Sequence, residues 1–82
     1  MEIKYTLRAK KDLKKIYNTP YRDSFLSVIK MLQKNPYFLS PHFEKLSGYS
    51  SRYSRRINIQ HRLVYEIKEN SIIILSCWGH YE

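Results

Sequence analysis

Arg56 and Arg62 stand near the middle of a segment, Tyr53 to Ile67, that reads YSRRINIQHRLVYEI. A guanidinium is planar, permanently charged and forked, so two of them fixed side by side can grip one phosphate group. Elsewhere in the chain, the carboxylate of Glu44, the imidazole of His80 and the phenol of Tyr81 could move a proton or contact an anion. By residue type alone Glu44 is also what a polar loop displays, and His80 with Tyr81 is also what a frayed chain end displays. Any chemistry depends on the elements that bring these groups together.

The segment alternates as a β-hairpin does. Tyr53, Ile57, Leu63, Tyr65 and Ile67 occupy odd positions, whereas Ser54, Arg56, Asn58, Arg62, Val64 and Glu66 occupy even ones. For the odd residues of both strands to share a buried face, cross-strand partners must sum to an even number. That requires a connection of odd length, such as Ile59-Gln60-His61. Burial enforces this register, because a slip by one position would turn the apolar set to water. Arg56 and Arg62 are then predicted to project from the same open face. A solvated face on which they pair with Glu66, worth little to stability, is the competing reading. Arg55 falls on the apolar side near the start of its strand and is expected at the sheet margin.

Upstream, Glu2 to Thr6 alternates as a short strand, and Thr6 can cap a helix in which Ala9, Leu13, Ile16 and Tyr17 recur at helical spacing. Arg8, Lys10, Lys11, Lys14 and Lys15 make that helix strongly basic. Thr19-Pro20 is a start signal for a second helix, with a core stripe of Tyr21, Phe25, Val28, Ile29 and Leu32 and a stop at Asn35-Pro36. Pro36 to Ser51 reads as a loop with room for one short strand. After a turn at Lys68-Glu69-Asn70, Ser71 to Trp78 is apolar on both sides, as a central strand would be. His80 shares the parity of Ile72, Ile74 and Trp78, which assigns it to a defined side of the sheet. The predicted architecture is α+β: one domain, 1–82, with two antiparallel N-terminal helices on one face of a mostly antiparallel four-stranded sheet.

Composition narrows the partners. The formal net charge is +8 and aromatic residues make up 15%, so the charge sits on a folded domain whose field attracts polyanions. The lone Cys77 lies in the apolar run SIIILSCW and reads as a small buried side chain, which fits a reducing cytosol. No segment reads as a signal peptide or membrane span, so a cytoplasmic location is expected. With two glycines, no phosphate-loop or dinucleotide motif is possible. His42 and His61 read as loop residues, and no spacing suggests a metal site.

Three blocks, FEKL at Phe43 to Leu46, YSRRINIQHRLVY at Tyr53 to Tyr65 and WGHYE at Trp78 to Glu82, resemble the YoeB/Txe branch of the RelE toxin superfamily. Length and element order agree along the whole chain. The resemblance implies a RelE-like fold and an endoribonuclease that cleaves mRNA in the ribosomal A site, in contact with ribosomal RNA. It also implies a cognate antitoxin of the YefM/Axe kind, a homodimer among the possible states, and no cofactor. Carried over by position, the general base falls on Glu44, the strand arginine on Arg62, and the terminal pair on His80 and Tyr81. Arg55 and Arg56 match the family's arginine pair and, with Lys45, are expected to bind substrate. Between Leu46 and Ser54 the chain is slightly shorter than the pattern and has Ser47 where a lysine is common, a role Lys45 could take over.

Those residue types suit metal-free RNA cleavage. The neighbouring 2′-hydroxyl is the nucleophile, so the enzyme must remove its proton, stabilise the phosphoryl charge and protonate the departing 5′-oxygen. Glu44, Arg62 with Arg56, and His80 match those tasks in that order, while Tyr81 could bond the phosphate or stack on a base. Two other readings share the scaffold: a non-catalytic inhibitor resembling the ParE branch that acts on gyrase, and an RNA-binding module without activity.

Overall fold

The computed structural model describes residues 2–34, 43–45 (as backbone) and 52–79. Strand β1 (Glu2–Tyr5) leads into helices α1 (Leu7–Tyr17) and α2 (Arg22–Lys34), followed by strands β2 (Phe43–Lys45), β3 (Arg52–Arg56), β4 (Arg62–Lys68) and β5 (Ser71–Ser76). The sheet order is β1-β5-β4-β3-β2, with β1 parallel to β5 and the other pairs antiparallel. The four expected strands are thus joined by a fifth, the three-residue β2 at the far edge, drawn from the loop region. The apolar β5 is an interior strand, flanked by β1 and β4, as its two-sided hydrophobicity requires.

Thr6 ties the first strand, the first helix and the sheet together. Its Oγ1 accepts from the Ala9 N–H at 3.1 Å, capping α1, and its hydroxyl donates to the Leu75 carbonyl at 3.1 Å. An N-cap of this kind contributes about 1 kcal/mol. Helix α2 begins at Arg22, later than the Thr19-Pro20 signal suggested. Thr19 is occupied in the turn: its hydroxyl donates to the Ile16 carbonyl at 2.7 Å and accepts from the Tyr21 N–H at 3.2 Å.

Both helices pack on one face of the sheet. Ala9, Ile16, Phe25, Val28 and Leu32 meet Leu63, Tyr65, Ile72 and Ile74, with Ile57 and Cys77 completing the core. The stripe of α2 is the predicted one. That of α1 is rotated, because Asp12 is buried with Ala9 and Ile16, Leu13 is only half-buried, and Tyr17 is 43% exposed. The reason lies at the end of β5, where the Cys77 N–H is met by Asp12 Oδ2 at 3.2 Å. Arg8 shares that carboxylate at 3.7 Å.

The β4–β5 register contains a bulge. Tyr65 pairs with Ile74 but Val64 pairs with Ser76, which leaves Leu75 as an extra residue on β5. The bulge interrupts the alternation of β5 between Ile74 and Trp78, and His80, whose side of the sheet was expected from that parity, lies outside the described residues. Beyond the bulge, Cys77 is fully buried in the core and Trp78 packs against it partly buried.

Asp12→Ala strands the buried Cys77 N–H and is expected to lower stability by about 1–3 kcal/mol in denaturant melts. Burial, with a smaller push from Asp12, raises the Cys77 thiol from 9.0 to about 12. The unfolded chain then releases this proton first, so stability should be untouched by Cys77 below pH 9.0 and decline as pH rises toward about 12. Melts across that range should show a steeper alkaline loss for the wild type than for Cys77→Ala.

Candidate active site

The hairpin register places Arg56 directly opposite Arg62 and Ser54 opposite Val64, so the two arginines share a face as the alternation predicted, although the connection runs from Ile57 to His61 and is longer than the expected Ile59-Gln60-His61. Like charges in directly opposed positions repel, by roughly 0.2–1 kcal/mol in a sheet. The pair therefore adds nothing to stability by itself, and a phosphate between the two guanidiniums reverses the sign of the interaction. Arg56 is exposed and Arg62 half-buried.

Arg62 is oriented from below. Its Nε donates to Ser54 Oγ at 2.6 Å, and Ser54 is completely buried. A buried hydroxyl under a guanidinium restricts the rotamers of a long side chain, so less entropy is lost when an anion binds. Glu66, the carboxylate of the competing reading, is held by Arg52, its cross-strand partner, with Nε to Oε2 at 3.0 Å.

Strand β2 brings Glu44 to this place. Its backbone stands opposite Ser54, so one serine is both the register partner of Glu44 and the hydrogen-bond partner of Arg62. Lys45 stands opposite Tyr53, the next register position. The chain end arrives from the other side. His80 and Tyr81 lie outside the described residues, but the carbonyl of Gly79, which forms the peptide leading into His80, accepts from the Arg62 N–H at 3.0 Å. Arg62 is thus the meeting point of β3, β4 and the last turn.

Arg55 is not at the sheet margin. It is 3% exposed, on the helix side of the sheet, with Nη1 3.1 Å from Met31 Sδ of α2. Its register partner is Leu63 of the core, so the odd-position rule overrides its charge. The Arg55-Arg56 pair is therefore split, and only Arg56 shares a face with Arg62.

His61, read as a loop residue, is buried at 8% exposure. Its ring stacks on Trp78 at 4.1 Å and lies 5.7 Å from the Tyr21 ring. Its Nδ1 accepts from the Gly79 N–H at 2.8 Å. Its odd position in the hairpin was the available signal, since that parity belongs to the covered face. His42 lies outside the described residues. On α1, Lys10, Lys11, Lys14 and Lys15 are all exposed, as the helical pattern predicted. Among the described residues no helix is long and apolar enough to cross a membrane. Among them, too, no three His, Cys, Asp or Glu side chains cluster as a metal site would require.

The family described as YoeB-like toxin of bacterial type II toxin-antitoxin system matches residues 5–81. Toxin YoeB of Synechocystis is 54% identical over 37 residues, a match that spans 45% of this chain and 40% of that relative. The structure of the YoeB dimer from Staphylococcus aureus superposes with a TM-score of 0.84 at 33% identity, covering 99% of this chain and 98% of that one. The YoeB/ParE toxin from Agrobacterium tumefaciens has a TM-score of 0.88 at 24% identity, covering 99% of this chain and 100% of that one, a likeness of fold.

Ser54→Ala removes the acceptor beneath Arg62. The Arg62 Nε–H signal in side-chain NMR spectra should lose its protection from exchange, while the amide signals of β3 and β4 stay in place. An unaltered Nε–H signal would show that Ser54 does not hold the guanidinium.

Proposed function

We propose, from the premise that this chain belongs to the YoeB-like toxins of bacterial type II toxin–antitoxin systems, that it is a ribosome-dependent, metal-independent mRNA endoribonuclease. The observation that carries the reading is the convergence on Arg62: a facing Arg56, a buried serine that bonds it and is partnered by Glu44, and the peptide leading into His80. A base, cations and an acid drawn from separate parts of the chain suit one phosphodiester.

In this reading Glu44 takes the 2′-hydroxyl proton of the nucleotide upstream of the cut. The 2′-oxygen attacks phosphorus, and Arg62 with Arg56 stabilises the charge that builds on the non-bridging oxygens. The bond from phosphorus to the 5′-oxygen breaks, and His80 delivers the proton to that oxygen. The products are a 2′,3′-cyclic phosphate and a 5′-hydroxyl end. Nucleophile and phosphorus belong to the same nucleotide, so proximity is built into the substrate. Tyr81 bonds the phosphate or stacks on a base, and Lys45 adds a further cation for the substrate. Arg55, buried under α2, has no part in this scheme.

The exposed lysines of α1 suit ribosomal RNA, whose phosphates attract them in a salt-dependent manner. The structural relatives include the YoeB dimer and a YoeB–YefM complex, both from Staphylococcus aureus. A YefM-like antitoxin is the expected partner here, and a homodimer is an accessible state. Action on ribosomes places the protein in the cytoplasm.

On programmed ribosomes the wild type should cut mRNA and leave cyclic phosphate ends. His80→Ala and Arg62→Ala should each slow cleavage by roughly 10²–10⁴-fold with ribosome binding nearly intact. Intact mRNA beside a loss of gyrase supercoiling would overturn the proposal in favour of gyrase inhibition. An Arg62→Ala defect confined to ribosome affinity would move that residue to docking.

A further inference from the structure

Gly79 is held at both of its polar groups by two consecutive residues. Its carbonyl accepts from the Arg62 N–H at 3.0 Å, and its N–H donates to His61 Nδ1 at 2.8 Å. In a regular antiparallel pair Arg62, having donated to Gly79, would return its own carbonyl to the Gly79 N–H. Here the Gly79 N–H goes to the imidazole of the preceding residue, whose backbone carbonyl receives the N–H groups of Ile57 at 2.9 Å and Asn58 at 3.2 Å and so closes the hairpin loop. A side chain stands where a backbone acceptor would be the ordinary partner.

The ring is built into place for it. Asn58 Oδ1 accepts from the His61 N–H at 2.6 Å and from the Gln60 N–H at 3.1 Å, fixing the backbone that carries the ring. The stack on Trp78, the neighbouring Tyr21 and the burial leave the imidazole little freedom. Gly79 has φ of +87°, a conformation in which an L side chain is strained, although a Cβ there would meet nothing within 4 Å. The glycine serves the backbone path, and the clamp holds that path at the peptide from which His80 departs.

We infer that His61 is a positioning residue for the reaction: its neutral imidazole, accepting at Nδ1, fixes the Gly79 peptide and through it the place from which the terminal acid acts on a phosphate held by Arg62. The inference rests on the nuclease reading of the site. Its energetic basis is that small displacements of a reacting group lower rate far more than they lower stability.

The first test needs no substitution. In the wild-type protein, imidazole ¹⁵N shifts should show His61 with Nδ1 unprotonated and Nε2 protonated, and the Gly79 amide should be protected from exchange. An Nδ1-protonated tautomer, or an unprotected Gly79 amide, would overturn the clamp whether or not the protein cuts RNA. The second test compares His61→Asn, which keeps an acceptor near the Nδ1 position, with His61→Leu, which keeps only apolar bulk. On programmed ribosomes His61→Leu should lower kcat about tenfold or more with KM within about twofold, and His61→Asn should recover most of the loss. Equal losses in the two variants, or a full kcat in His61→Leu, would refute the positioning role. A wild type that holds the clamp but cuts no RNA would count against the nuclease reading instead.

Discussion

The hydrogen bonds of one residue, Arg62, set the geometry of the candidate site. Arg62 reaches Ser54 through Nε and Gly79 through its backbone N–H, so one residue of β4 is joined to β3 and to the chain's last turn. Ser54 in turn is the register partner of Glu44 on β2. Three consecutive strands and the last turn are therefore brought into one neighbourhood by pairing and two hydrogen bonds. The directly opposed Arg56 adds a second positive charge to the same face, at the cost of like-charge repulsion.

That arrangement depends on the core behind it. Leu63 and Tyr65 are buried against the helices on the opposite face of β4, and this burial prevents the register from slipping and moving Arg62 to the other side. Helix α1 is itself tied to the sheet by polar contacts, with Thr6 bonded to Leu75 and Asp12 to Cys77. Rigid scaffold and open basic face are the two sides of a single sheet, with apolar residues specifying one and charged residues the other.

The parity of the hairpin was readable because the helix-covered face has a period that charge does not disturb: odd positions face the core, so the shared face of Arg56 and Arg62 followed by arithmetic, while the burial of Ser54 and Val64 on the even face did not. The helix stripe of α2 was readable for the same reason. Arg55 was misplaced because its type was allowed to outweigh its parity, and the structure shows parity prevailing even over a guanidinium. Asp12 and His61 were missed for a different reason. Each satisfies a backbone N–H near the end of the chain, at Cys77 and Gly79, and such a demand is visible only after the tertiary path is known. The bulge at Leu75 likewise arises between strands, so no alternation within β5 could announce it. The family resemblance named Glu44, His80 and Tyr81, and the pairing of β2 with β3 sets the backbone of the first of these opposite Ser54.

The most direct measurement is an NMR titration of the protein with a short RNA carrying a single 2′-deoxy nucleotide, which presents the phosphodiester without the attacking hydroxyl. The account predicts that the largest shifts fall on the side-chain N–H signals of Arg56 and Arg62 and on the Gly79 amide, and that they saturate together. Shifts confined to the lysines of α1, with the Arg62 Nε–H unmoved at saturation, would contradict it.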